Sequence, residues 1–200
     1  MIYGKSGSGK SRSLLNFAED EITLINVVDK RLPFSKKFRY AAPLNDITKI
    51  KAALSKMPTK VAVIDDAGYL MTNLFMAGHT KGDNYRLFNE IADTMWQLFT
   101  FIKTGLPSNV IVYIIMHETV SDLGESKLLT IGKLLDDKVN LSGLVTICLR
   151  CAVVGGRHVF ITQSNGSDIC KSPEGLWPDI EIANDLKMVD SDIRKFWDIE

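Results

Sequence analysis

The sequence predicts an α/β fold, with a mainly parallel central sheet flanked by helices and an antiparallel β-hairpin added at one edge. Three observations carry that expectation. The first is a glycine-rich loop, Gly4-Lys5-Ser6-Gly7-Ser8-Gly9-Lys10-Ser11, set between a short apolar run and a helical pattern. The second is a pair of unbroken apolar runs, Val61 to Ile64 and Val110 to Met116, each leading into polar residues. Strands buried on both faces of a parallel sheet have that character. The third is Gly155-Gly156 between two strand-like runs, which signals a hairpin.

The loop matches the phosphate-binding pattern G-x-x-x-x-G-K-[ST] at every fixed position. Such a loop turns backbone N–H groups inward around phosphates, and its glycines permit positive φ and close approach. Gly4 through Ser11, with Arg12 after them, are therefore the candidate nucleotide-binding residues. Lys10 is expected on the β- and γ-phosphates and Ser11 on Mg²⁺. Met1-Ile2-Tyr3 gives the preceding strand, shorter than the usual five or six residues. Leu14, Leu15 and Ala18 predict a helix from Arg12 to about Asp20, its positive end aimed at the phosphates.

Ile22 to Val28 is a β-branched run that predicts the second strand, and Asp29 ends it. Ligands bind at that edge of open α/β sheets, so Asp29 is a candidate to orient water or magnesium, or simply the start of a loop. A basic loop, 30–39, follows, with a short strand expected at Phe38-Arg39-Tyr40. Asn45 or Asp46 caps a helix to about Lys56, stopped by Met57-Pro58. Val61 to Asp65 is the next buried strand, where Asp65 can hold Mg²⁺ through water. Asp66 is a candidate general base, although many such ATPases carry glutamate there.

Residues 71–83, with Gly78, His79 and Gly82, read as a mobile loop. Leu87, Phe88, Ile91, Met95, Leu98, Phe99 and Ile102 recur at helical spacing and predict a helix from about Asn84 to Lys103. Asn109 to Met116 delivers His117 and Glu118 to the same sheet edge, where a polar side chain can contact the γ-phosphate and report its loss. A loop and short helix are expected over 119–140. The strands of the hairpin are Leu144–Val154 and His158–Gln163. Cys148 and Cys151 lie three apart in a strand, hence on opposite faces, and are expected in the core, not on zinc.

Composition narrows the function classes. The 200 residues are 46% hydrophobic with no low-complexity linker, enough for one sizeable core. No apolar stretch reaches membrane-spanning length, and three cysteines without a signal peptide suggest a reducing, cytoplasmic setting. The formal net charge is zero, but residues 1–60 carry twelve Lys/Arg against five Asp/Glu, and the rest twelve against nineteen. Any nucleic-acid contact must therefore use a local basic surface such as Lys30, Arg31, Lys36, Lys37 and Arg39. The tail, 179–200, holds seven acidic and three basic residues and a short amphipathic helix from Asp190 or Ser191 to Trp197.

Taken together, the chain resembles the RecA-type P-loop ATPases, in particular the short bacteriophage proteins that assist single-strand annealing and recombination. Ile2-Tyr3-Gly4 with Gly7 to Ser11 is similar to their phosphate loop, and Val63 to Leu70 to their Walker B segment. Asp65 then falls on the magnesium position and Asp66 where RecA has serine. Asp29 matches the place of the catalytic glutamate, and Met116-His117-Glu118 resembles the sensor segment. The resemblance implies a RecA-like ATPase domain over 1–178 followed by the acidic tail, with ATP and Mg²⁺ as cofactors. It further implies single-stranded DNA as partner, homo-oligomers, a phage replication or recombination role, and a host bacterial cytoplasm. By the same analogy the segments 119–138 and 164–175 approach DNA, and Lys171 or Arg157 reaches a neighbour's nucleotide.

Two other functions fit the loop. Aspartate where the family carries glutamate suits a non-hydrolysing nucleotide switch that recruits a replication or recombination partner. A small-molecule kinase shares the phosphate loop, but between residues 119 and 140 there is no arginine of the kind its lid uses to clamp phosphates.

Overall fold

A computed structural model describes all residues from Met1 to Glu200. Nine strands form one sheet: β1 (Ile2–Gly4), β2 (Ile22–Asn26), β3 (Tyr40–Ala42), β4 (Val61–Asp65), β5 (Ile111–Val120), β6 (Ser126–Leu128), β7 (Leu149–Val154), β8 (Arg157–Ile161) and β9 (Glu181–Ala183). Their order is β3-β2-β4-β5-β1-β7-β8-β9, with β6 pairing the far end of β5. From β3 to β7 every pairing is parallel, whereas β8 runs antiparallel to both β7 and β9. The molecule is thus an α/β protein with a mostly parallel mixed sheet, and the Gly155-Gly156 hairpin lies where the sequence indicates.

Alternation along the strands explains why both faces are buried. Ala62 and Ile64 of β4 join a core with Ile25, Ile114 and Met116, covered by α1 (Ile47–Ser55), α2 (Tyr69–Gly78) and α3 (Asn84–Thr104). Val61 and Val63 face the other way, onto Leu24, Ile115, Leu149 and α4 (Leu186–Trp197). Cys148 belongs to the first core and Cys151 to the second, so the two do face opposite sides. All three cysteines are free and buried. No helix is long and apolar enough to cross a membrane.

Several segments depart from the expected pattern. In place of a helix from Arg12 to Asp20 there is one 3₁₀ turn, Ser11–Leu14. The chain must run from β1, past β5 and β4, down to the start of β2, with only ten residues between Ser11 and Ile22 left once the loop is complete. A compact α-helix at 1.5 Å per residue covers less distance than looser turns. Lys36 compensates by donating its ammonium to the carbonyls of Leu15 (2.6 Å) and Phe17 (2.7 Å). Residues 71–83 are not a loop: α2 occupies most of them, because Leu70, Met71, Leu74 and Phe75 form an apolar stripe that packs on α3. β3 begins two residues later than the strand read at Phe38, since Phe38 is drawn into the core.

β5 continues through His117 and Glu118 to Val120, because β6 pairs with its extension. The run from Leu144 is helical at first, Leu141–Leu144 forming a 3₁₀ turn, and β7 starts only at Leu149. The acidic tail is integrated into the body. β9 joins the sheet, and α4, capped by Asp185, buries Leu186, Val189 and Ile193. That helix starts four residues earlier than its amphipathic pattern suggested. Asp190 fixes it by accepting from Tyr113 Oη and Arg194 Nε, both at 2.8 Å.

Candidate functional site

β1 ends at Gly4, and residues 5–10 curl back above the strand ends. The curl depends on glycine at two places. A Cβ on Gly4 would lie 2.4 Å from the Cys151 carbonyl oxygen in β7, and one on Gly9 would lie 2.9 Å from His158 Nδ1. Gly9 also has φ of +104°. The loop is anchored through the Ser8 carbonyl, which accepts from His158 Nδ1 at 2.7 Å and from Cys151 Sγ at 3.1 Å. Asn184 Nδ2 in turn donates to Cys151 Sγ at 2.9 Å.

Lys10 is buried inside this curl. Its ammonium donates to the carbonyls of Gly4 and Lys5, each at 2.8 Å, and lies 3.4 Å from His117 Nδ1. Burial pulls its pKa below the ordinary lysine value, with Asp66 and Asp65 opposing. An ammonium can only donate, so Nδ1 of His117 faces it as acceptor and the ring proton sits on Nε2. Burial and the Lys10 charge both lower the His117 pKa, which keeps the ring neutral near pH 7.

The end of β4 and the turn after β2 supply the remaining groups. Asp65, closing β4, is 1% exposed, and neither carboxylate oxygen has a hydrogen-bond partner. Burial and the neighbouring Asp66 raise its pKa, and the Ser11 hydroxyl facing it works the other way. An unpaired buried carboxylate is rare and costly, so it marks a place built for a partner. Asp66 adopts φ of +59°, is equally buried, and forms an ion pair with Lys30 Nζ. Its other oxygen lies 3.2 Å from His117 Nε2.

Lys10, Ser11, Asp66 and His117 come together around a cleft of about 320 Å³, with Ser6, Gly7, Gly9 and Arg12 on its loop side. Gly4, Lys5 and Ser8 shape the loop without lining the cleft. Asp29 is not brought in. β2 stops at Asn26, a turn follows, and Asn26 Nδ2 holds the Lys30 carbonyl at 2.6 Å. With φ of +55° at Asp29, that turn aims Lys30 into the cleft and leaves Asp29 in a neighbouring groove beside Arg31, Phe34 and Lys37. Glu118 is also withdrawn, since Arg150 grips both its oxygens at 2.9 and 3.1 Å and Ser126 donates to one of them. Burial works to raise its pKa, but the guanidinium holds it below the ordinary value.

Sequence reasoning missed Lys30 and Arg31 as cleft residues, and His158 with Asn184 as the loop's anchors. Lys30 adjoins the strand end where Asp29 drew attention, so its position was the available signal. His158 gave none, because its contact depends on how the hairpin packs against β1. No group of three or more His, Cys, Asp or Glu side chains is arranged to hold a metal ion. No protein-family model matches the sequence, and no curated protein is detectably similar to it.

Proposed function

We propose that this cleft binds Mg²⁺ and a nucleoside triphosphate, with ATP as the reference ligand, and that the chain is a RecA-like P-loop ATPase acting on single-stranded DNA in phage recombination or replication. The observation that carries the reading is the unpaired Asp65 carboxylate facing Ser11 at the foot of the glycine-rich loop. A hydroxyl and a carboxylate are hard oxygen donors, and Mg²⁺ takes few protein ligands because it keeps waters and phosphate oxygens. When bound, the metal neutralises charge on the phosphates. Lys10 already presents its ammonium to two oxygens, the Gly4 and Lys5 carbonyls, and exchanging these for phosphate oxygens needs only side-chain motion. His117, neutral and touching both Lys10 and Asp66, fits a group that senses the terminal phosphate.

The DNA role is supported by charge and surface. Arg31, Lys37 and Arg39 are exposed, Arg31 bordering the cleft and the neighbouring groove and Lys37 that groove. The two segments that the family analogy directs to DNA also meet, through the Ser126 N–H bonded to the Ser167 carbonyl at 2.8 Å. Assembly into homo-oligomers along a strand belongs to the same proposal.

One observation favours the non-hydrolysing switch. Asp66 is engaged by Lys30 and His117, and Asp29 lies outside the cleft, so neither carboxylate stands free to activate water. Steady-state ATP hydrolysis titrated with single-stranded and duplex DNA, beside parallel nucleotide-binding measurements, separates the two. The ATPase reading expects stimulation by single strands and its loss, to about the level of a protein-free blank, in Lys10→Ala. Binding with a flat blank-level rate selects the switch. Absence of nucleotide binding in the wild type defeats both.

A further inference from the structure

The charged groups of the cleft stand in a row. Lys10 Nζ is 3.4 Å from His117 Nδ1, His117 Nε2 is 3.2 Å from Asp66, and Asp66 pairs with Lys30. An anion held at Lys10 and extending toward β2 therefore meets Lys30 as its next cation. The two partners of that ion pair differ in freedom. Asp66 has a side chain 1% exposed on a left-handed backbone position, whereas the Lys30 side chain is 49% exposed. The Lys30 backbone is tied to Asn26, so only its four-carbon stem can swing.

We infer that Lys30 is the residue that distinguishes a nucleoside triphosphate from a diphosphate: Asp66 stores its ammonium, and the outermost phosphate draws it away. This rests on the nucleotide site proposed above and adds a specificity-determining residue that the phosphate-loop motif does not contain. A terminal phosphate carries more negative charge than one carboxylate and offers three acceptor oxygens, so it competes for the ammonium. A diphosphate gripped by the loop and Lys10 stops short of the end of the row and leaves the pair with Asp66 intact. Arg31 follows directly and borders both the cleft and the neighbouring groove, so the exchange takes place next to the exposed cations.

The test is calorimetric binding of Mg·ADP and of a slowly hydrolysed Mg·ATP analogue to the wild type, Lys30→Met and Lys30→Arg. Lys30→Met is expected to weaken the triphosphate about tenfold or more and the diphosphate by less than about twofold, with Lys30→Arg restoring most of the difference. Removing Lys30 alone leaves a buried, under-paired Asp66, so Lys30→Met is also measured with Asp66→Asn, which keeps the fold without the stranded charge. The same selective loss in that double variant supports the assignment. An equal loss for both nucleotides, or no loss for either, overturns it while leaving the nucleotide site standing. A wild type that binds neither ligand overturns the site itself.

Discussion

On the β7–β8 side of the cleft the loop is fixed by backbone carbonyls and by approaches so close that Gly4 and Gly9 have no room for a methyl group, whereas on the β2–β4 side the wall consists of charged side chains. The first wall is rigid in the sense that moving it means moving strands. The second can rearrange by exchanging ionic partners. A phosphate site needs both, because donors must be held in place beforehand while something must respond to what has arrived. The difference also predicts where substitutions act. On the loop side they should cost stability, and on the charged side they should change pH dependence and ligand preference.

Gly4→Ala should have the largest effect. Its new methyl would lie 2.4 Å from a β7 carbonyl, and main chain cannot swing aside as a side chain can. We expect a loss of about 3 kcal/mol and a Tm lower by roughly 6–12 °C in thermal unfolding. An unchanged Tm would mean that β1 and β7 separate easily and that the rigid wall is not rigid.

Gly9→Ala should cost less, about 2 kcal/mol, because the atoms it meets belong to the His158 and Asn184 side chains. Adding His158→Ala sharpens the comparison. It removes the contact with His158 but neither the Asn184 Oδ1 contact at 3.1 Å nor the unfavourable φ of +104°, so the double variant should regain only part of the lost Tm. Full recovery would locate the whole cost in the contact.

Asp65→Asn should act in the opposite direction. The folded-state pKa of Asp65 is raised, so between the ordinary aspartate value and that higher one the folded protein holds more protons than the unfolded chain. Stability therefore falls as pH rises through this window, and above it the ionised carboxylate is a burden. The amide removes it. We expect Tm to rise by roughly 2–4 °C at pH 7, for about 1 kcal/mol, with little change at pH 4. Mg²⁺-dependent nucleotide binding should be lost in the same variant. A stabilised protein that still binds Mg·ATP normally would remove Asp65 from the metal site.

The two walls were not equally legible from sequence. The loop motif and the β4 and β5 strands are local patterns, and local patterns survive folding: Lys10 and His117 line one cleft, and Asp65 is buried at the end of β4 without lining it. What could not be read depends on contacts distant in sequence. His158 reaches Ser8 across 150 residues, and α2 is a helix because Leu70, Met71, Leu74 and Phe75 find α3 to pack against. The failure at Asp29 is finer. The strand was placed correctly at its start, but it ends at Asn26 and not at Asp29, and the turn that follows, with its positive φ at Asp29, puts Lys30 and not Asp29 on the cleft. The acidic residues of the tail include Asp185 and Asp190, which cap and pin α4.

His117→Gln should give the smallest effect, and one that tests the electrostatic coupling between the walls. His117 has a pKa lowered from 6.5 by burial and by Lys10. Between that lowered value and 6.5 the unfolded chain binds more protons than the folded one. The wild type therefore loses stability as pH falls below about 6.5, until the folded-state value is passed. Glutamine can still accept from Lys10 and donate toward Asp66 but does not titrate. Its Tm should match the wild type within about 2 °C at pH 7.5 and fall less steeply as pH drops below roughly 6.5. Parallel Tm–pH curves would mean that Lys10 does not press on the ring, and that the row of charges from the loop to Lys30 is broken at its centre.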